Sequence, residues 1–159
     1  MQLMNRAYVA GPDEGEAIWF AGALMLLKAD GEQTQGHFTL IDQVTPPGYA
    51  VPHHIHHSED EAWYVLEGEV TLYCGDQVLT AAKGSWAFAP RGVPHAFKAG
   101  PDGARLLTFT APAGFDSFVR EAGGPAQTLT PPPPAEMDVE GLSTIAAKYG
   151  IQIVGPPPA

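Results

Sequence analysis

Apolar and polar residues along this chain fall into many short runs with a period of two or with uniformly apolar character. Gly, Pro and Asp punctuation separates them, so strands of a sandwich or barrel are predicted in place of long helices. Trp19 to Lys28 forms one or two short strands interrupted at Gly22, and Asp30 to Gln35 a polar connection. Residues 37 to 44, HFTLIDQV, form a strand closed by Pro46, Pro47 and Gly48, and Val51 to His56 the next. Glu61 to Leu66 is predicted to pair with Glu69 to Cys74 through a turn at Glu67-Gly68. Gly75-Asp76 then turns the chain into Gln77 to Ala82, and Ser85 to Ala89, His95 to Ala99 and Ala104 to Ala111 complete an all-β set. The period changes beyond Pro112. Phe115, Phe118 and Val119 are helically spaced within residues 113 to 123, with Asp116 and Arg120 placed to suit the helix dipole. A stiff TPPPPA linker follows, then a second amphipathic helix over residues 138 to 150 carrying Val139, Leu142, Ile145, Ala146 and Tyr149. The last apolar run, Ile151 to Val154, is expected to dock on the barrel or on a partner. The division is a lead-in over residues 1–35, a barrel over 36–112 and a helical, proline-rich extension over 113–159, with Phe118 and Leu142 as packing residues.

Composition agrees with this and narrows the partners. The chain has 159 residues, 18 of them glycine and 16 proline, which suits a turn-rich single core. A net charge of −10 with only eight Lys and Arg leaves no basic surface for nucleic acid or an anionic membrane. The run AIWFAGALMLL is too short to span a bilayer and follows acidic DEGE where a leader peptide would be basic, so a cytoplasmic location is expected. A lone cysteine, Cys74, has no partner for an internal disulfide and reads as a small semi-buried apolar residue.

Chemistry is concentrated in PHHIHHSEDEAWYVLEGEV, where four of the six histidines lie within five residues. Side chains alternate along a strand, so His54 and His56 share one face while His53 and His57 point outward. Glu61, on the returning strand, rejoins the first pair, and two imidazoles with a carboxylate make a partial shell for a divalent metal. Glu59 and Asp60 read as solvated loop acids. Of the remaining histidines, His37 opens a plain apolar strand, whereas His95 follows a turn stiffened by Pro90, Gly92 and Pro94, making it the better fourth ligand. Arg91 is a turn residue. Imidazole and carboxylate without thiolate suit Mn, Fe, Co, Ni, Cu or Zn, and four protein ligands leave a position for substrate or water. Strand parity turns Trp63, Val65, Phe97 and Ala99 inward, with Trp86 and Phe88 joining them, as the apolar wall of a pocket for a flat small molecule.

Both segments together resemble the cupin family. Five residues lie between Gly48 and His54, one between His54 and His56, four between His56 and Glu61 and six between Glu61 and Gly68; a second run passes through Gly84, Pro90, Gly92 and His95. The resemblance covers roughly residues 36 to 111 and departs where a closing asparagine is Ala99 here. It implies a double-stranded β-helix, or jelly roll, holding one divalent transition metal between His54, His56, Glu61 and His95. Within the family the order of parts is similar to bacterial quercetinase-like flavonol dioxygenases, through LMLLKADGEQTQGHFTL at the start and PAGFDSFVREAG after the last barrel strand. Those relatives imply an enolic or aromatic substrate, O2 as co-substrate and Glu61 as both ligand and catalytic base. The alternatives are a metal-dependent isomerase, decarboxylase or hydrolase on the same fold, or a cupin that binds a small ligand without turnover. A homodimer is implied by the habit of small cupins.

Overall fold

The computed structural model describes residues 6–159. Strands β1 (Glu16–Phe20), β2 (Ala23–Ala29), β3 (Thr39–Thr45), β4 (His53–His56), β5 (Asp60–Cys74), β6 (Gln77–Ala82), β7 (Trp86–Ala89) and β8 (His95–Ala111) precede helix α1 (Phe115–Ala122). The two-residue β9 (Gly124–Pro125), helix α2 (Val139–Ala147) and β10 (Ile151–Gly155) follow. All pairings are antiparallel, in the order β10-β4-β8-β3-β2-β1-β9, while β5 pairs with β6, β7 and β8. The result is an all-β jelly roll with short helices at its C-terminal end.

Two long bent strands replace what the sequence suggests is a set of short ones. Glu61 to Leu66 and Glu69 to Cys74 do not pair with each other; both belong to β5, and both pair with β8, Val65 opposite Leu106 and Val70 opposite Ala99. Gly68 is a kink and not a hairpin turn. It takes φ 75° opposite Ala104, whose neighbour Gly103 takes φ 78°, and a Cβ on Gly68 would lie 2.2 Å from the Gly103 carbonyl oxygen. Glycine is required at this crossing both for its backbone angle and for the close approach of the strands. A true two-residue hairpin occurs at Gly75-Asp76, where Cys74 pairs with Gln77.

Inward residues form two apolar groups. One gathers Trp63, Val65, Val70, Leu72, Phe97, Ala99 and Leu106 inside β5 and β8. The other joins the two ends of the chain: Phe20, Met25 and Ile41 pack with Phe115 and Phe118 of α1, Ala146 of α2 and Ile151 of β10. Phe20 meets Phe115 and Phe118 edge to face at centroid distances of 6.1 and 5.2 Å. Asp116 fastens α1 to the barrel, accepting from the Gly31 amide at 3.0 Å and the Thr39 hydroxyl at 3.3 Å. The apolar run after α2 becomes β10, which covers the open edge of β4 with Ile151 opposite His56 and Ile153 opposite His54.

Gly68→Val is expected to lower unfolding stability by about 3 kcal/mol or more, because it adds both positive-φ strain and a clash with backbone. Denaturant titration measures this; a loss below about 1 kcal/mol would contradict the crossing described here.

Candidate metal centre

β4, the start of β5 and the start of β8 bring His54, His56, Glu61 and His95 to one point, with one ligand-type atom from each lying within 4.8 Å of the others. His54 and His95 face each other as a cross-strand pair. The Nε2 atoms of His95, His56 and His54 lie 2.9, 3.3 and 3.8 Å from Glu61 Oε1. Bonds of about 2.0–2.2 Å to a common ion separate neighbouring ligands by roughly 3–4 Å, so the spacing fits. His56, Glu61 and His95 are buried and His54 is partly open.

The hydrogen bonds behind the rings decide what faces inward. His54 Nδ1 donates to the Pro52 carbonyl at 2.7 Å, His95 Nδ1 to the Val93 carbonyl at 3.2 Å, and His56 Nδ1 to Glu59 Oε1 at 2.7 Å. A carbonyl or carboxylate only accepts, so each Nδ1 carries hydrogen and each neutral ring turns an Nε2 lone pair toward Glu61. Three lone pairs and a carboxylate cannot face one another at these distances without a positive charge among them. Buried His56 Nε2 has no hydrogen-bond partner. The residues therefore fit a divalent cation, and their orientation by second partners is the arrangement that metal-binding imidazoles use.

In the metal-free protein the same charge deficit is met by a proton. Burial opposes a charge on His56, but Glu61 and Glu59 outweigh it and push its pKa up to about 10. Burial, with help from His95 and His56, pulls His54 down despite Glu61. Burial favours the neutral acid at Glu61, yet His56, His54 and His95 overcome it and hold the carboxyl well below its ordinary range.

A narrow cavity of about 60 Å³ opens beside the cluster, lined by His54, His56 and Glu61 and otherwise by mostly apolar side chains. Of the expected wall residues Phe97 lines it. Trp63, Val65 and Ala99 point inward but are consumed by the core behind, Trp63 meeting the His95 ring edge-on at 5.7 Å. Trp86 and Phe88 are 59% and 50% exposed, because β7 pairs with β5 so that Ala87 and Ala89 take its inner face. The missing wall comes from the two ends of the chain: Phe20 and Met25, then Phe115, Phe118, Leu142 and Ile151. Phe118 and Leu142 thus serve the cavity as well as the packing. Glu59 is a second departure, 6% exposed and bonded to His56 where a solvated acid is expected; its three-residue spacing from His56 is a usable signal only once the loop's curvature is known. Asp60 and Arg91 pair at 3.3 Å near the surface. His53 and His57 turn outward, to the Pro156 carbonyl and the Gln152 side chain, and His37 bonds the Thr34 carbonyl far from the cluster.

A jelly roll with three imidazoles and a carboxylate converging between its strands is the architecture of the cupins. Residues 42–110 match the cupin domain family. It is 25% identical over 118 residues, 74% of its length, to a quercetin 2,3-dioxygenase of Bacillus subtilis, of which it spans 35%. Among solved structures, KdgF from a Halomonas species superposes with a TM-score of 0.61 at 14% identity, over 71% of this chain and 99% of that one. An RmlC-like cupin from Shewanella frigidimarina gives 0.59 at 20% identity, over 74% and 99%. At these identities the structural likeness speaks for the fold alone.

Glu59→Gln is expected to weaken zinc binding about 10- to 100-fold with the fold intact, as removal of a ligand's hydrogen-bonded partner does; competition with a chromogenic chelator measures it, and unchanged affinity would remove Glu59 from the site. For pH the sign follows from His56. Its raised pKa stabilises the metal-free fold fully below the unfolded imidazole value of about 6.5, a contribution lost as pH rises through about 10. Metal needs the neutral ring, so zinc affinity rises with pH across that window and loading falls in acid. Calorimetry in buffers of different ionisation enthalpy should show close to one proton released per zinc at pH 7; no release would contradict the assignment.

Proposed function

We propose that this protein is a metal-dependent cupin dioxygenase acting on a small aromatic or enolic compound of the flavonol type, with O2 as co-substrate. The observation that carries this reading is a cluster of His54, His56, Glu61 and His95 opening into an otherwise mostly apolar, aromatic cavity. The distant similarity to a quercetin 2,3-dioxygenase supports it. A divalent ion held by these four residues, one of Mn, Fe, Co, Ni, Cu or Zn, would supply Lewis acidity and a site where an enolic oxygen and O2 meet.

The residues' own part is distinct. Glu61, ionised and buried, is placed to take the enol hydroxyl proton on a carboxylate oxygen, the general-base role that the geometry permits while it stays near its ring partners. Glu59 holds the His56 ring in the orientation that keeps Nε2 inward. Phe97, Phe115 and Phe118 exclude water and offer flat faces to an aromatic ring.

Size constrains how the substrate arrives. A cavity of about 60 Å³ is smaller than the roughly 150 Å³ that admits benzene, so a wall must yield. α2 is the wall least held by packing, since Ala146 alone of its nine residues is buried. On its far side an outer groove of about 930 Å³ runs beneath Pro131 to Pro134, sharing Ala21, Tyr49 and Leu142 with the inner cavity. Displacement of α2 past these shared residues is the route from surface to metal. The tight cavity also favours a second reading, a cupin that holds a small ligand without turnover.

The same proposal makes the protein a homodimer, built on the outward aromatic row in which Tyr64 pairs with Trp86 beside exposed Phe88.

Oxygen uptake on adding quercetin and smaller enolic compounds to protein loaded with each metal separates the readings. Consumption of O2 with one of them is expected. Glu61→Gln should cut that rate by about 10²-fold or more while changing metal content much less; equal retention of both would remove Glu61 as base, and no uptake with any metal would overturn the oxygenase reading.

A further inference from the structure

Among the described residues outside the metal cluster, only two polar side chains line the inner cavity, Tyr49 and Gln43. Tyr49 lies in the loop before β4, its ring 6.0 Å from Phe97, and is 8% exposed. Its hydroxyl is buried with no hydrogen-bond partner among the described residues. Buried phenols ordinarily find one, and a phenylalanine would complete this apolar wall without leaving a donor stranded. Burial pushes the phenol well above its usual range, so it stays protonated and can donate.

Gln43 stands on β3, 2% exposed, with Oε1 accepting from the Thr108 hydroxyl at 2.8 Å. That bond fixes the amide, whose nitrogen is a second donor among the residues lining the cavity. Of the other orphaned buried atoms, Trp63 Nε1 and Thr110 Oγ1 belong to residues outside the cavity lining, whereas His56 and Tyr49 both belong to it. Tyr49 also borders the outer groove, which none of the four cluster residues does, so it stands at the end of the cavity away from the metal.

We propose that the Tyr49 hydroxyl, with the Gln43 amide, forms a polar subsite that reads a second oxygen of the substrate, at the end of the molecule remote from its metal-chelating enol. The substrate class this selects is a planar hydroxy-ketone carrying a further hydroxyl or carbonyl acceptor; compounds with only the chelating pair leave the Tyr49 hydroxyl unpaired and bind less well. The inference rests on the chelation reading above, and its test keeps the two apart.

Kojic acid and allomaltol share a chelating hydroxy-pyranone and differ by one distal hydroxyl. Titrated calorimetrically into zinc-loaded protein, where no O2 chemistry intrudes, kojic acid should bind about tenfold tighter than allomaltol. Tyr49→Phe should erase most of that difference by weakening kojic acid while leaving allomaltol within about twofold, and Gln43→Met should act in the same direction. Unliganded Tyr49→Phe should melt at the wild-type temperature or above it, since it loses an unpaired buried hydroxyl. An unaltered preference for kojic acid in Tyr49→Phe, or no preference in the wild type, would overturn the subsite while sparing chelation. Failure of both probes to bind the zinc-loaded wild type would overturn the chelation reading and the subsite with it.

Discussion

Four groups that can only accept a positive charge are held against one another between β4, β5 and β8, and much of this molecule is arranged around that repulsion. Glu61 Oε1 lies 2.9 Å from His95 Nε2 and 3.3 Å from His56 Nε2, distances that two lone pairs do not tolerate unaided in a low-dielectric interior. The restraint comes from behind. Pro52, Val93 and Glu59 each hold an imidazole hydrogen on the ring's far side, so no ring can turn to relieve the strain by donating inward. A proton on His56 or a shared metal ion neutralises the centre, and these compete for the same lone pair.

Holding that geometry requires the strands to be rigid at the cluster and bent elsewhere. β8 supplies His95 at one end and, seventeen residues long, bends so that its halves pair with different stretches of β5. The Gly68–Gly103 crossing leaves no room for a Cβ on Gly68, and it lets two continuous strands enclose the core that backs the site. Buried Trp63 supports the His95 ring from this core, which is why it serves as a prop and not as a wall.

The C-terminal extension does more than decorate the barrel. β10 completes the edge of β4 directly opposite His56 and His54, and places Ile151 and Ile153 in the cavity wall. α1 is anchored by Asp116, while α2 packs through buried Ala146 and half-buried Leu142 and Ile145, and just beyond its end Lys148 and Tyr149 donate to Glu121 of α1 at 2.6 Å on the surface. One wall is thus firmly packed and its neighbour lightly held. The His-Glu end of the cavity is thus fixed by packed strands, while its other end is covered by the lighter helix.

The cluster was legible in the residues because it depends on local rules. Strand parity puts His54 with His56 and turns His53 and His57 away, and a proline-stiffened turn presents His95; neither needs knowledge of distant contacts. The all-β class and both helices follow equally from periodicity. What only the tertiary structure decided is which inward residues meet the cavity and which are absorbed by the core. Trp63, Val65 and Ala99 share the correct parity yet lie behind the site, Trp86 and Phe88 stand on an outer face, and the wall comes from Phe20, Phe115, Leu142 and Ile151, all remote in sequence. Parity assigns a face to a side chain but not its neighbours, and the curvature that separates core from cavity arises from pairing between distant strands. Glu59 shows the same limit at the smallest scale, since a loop acid becomes a buried partner of His56 only once the fold encloses it.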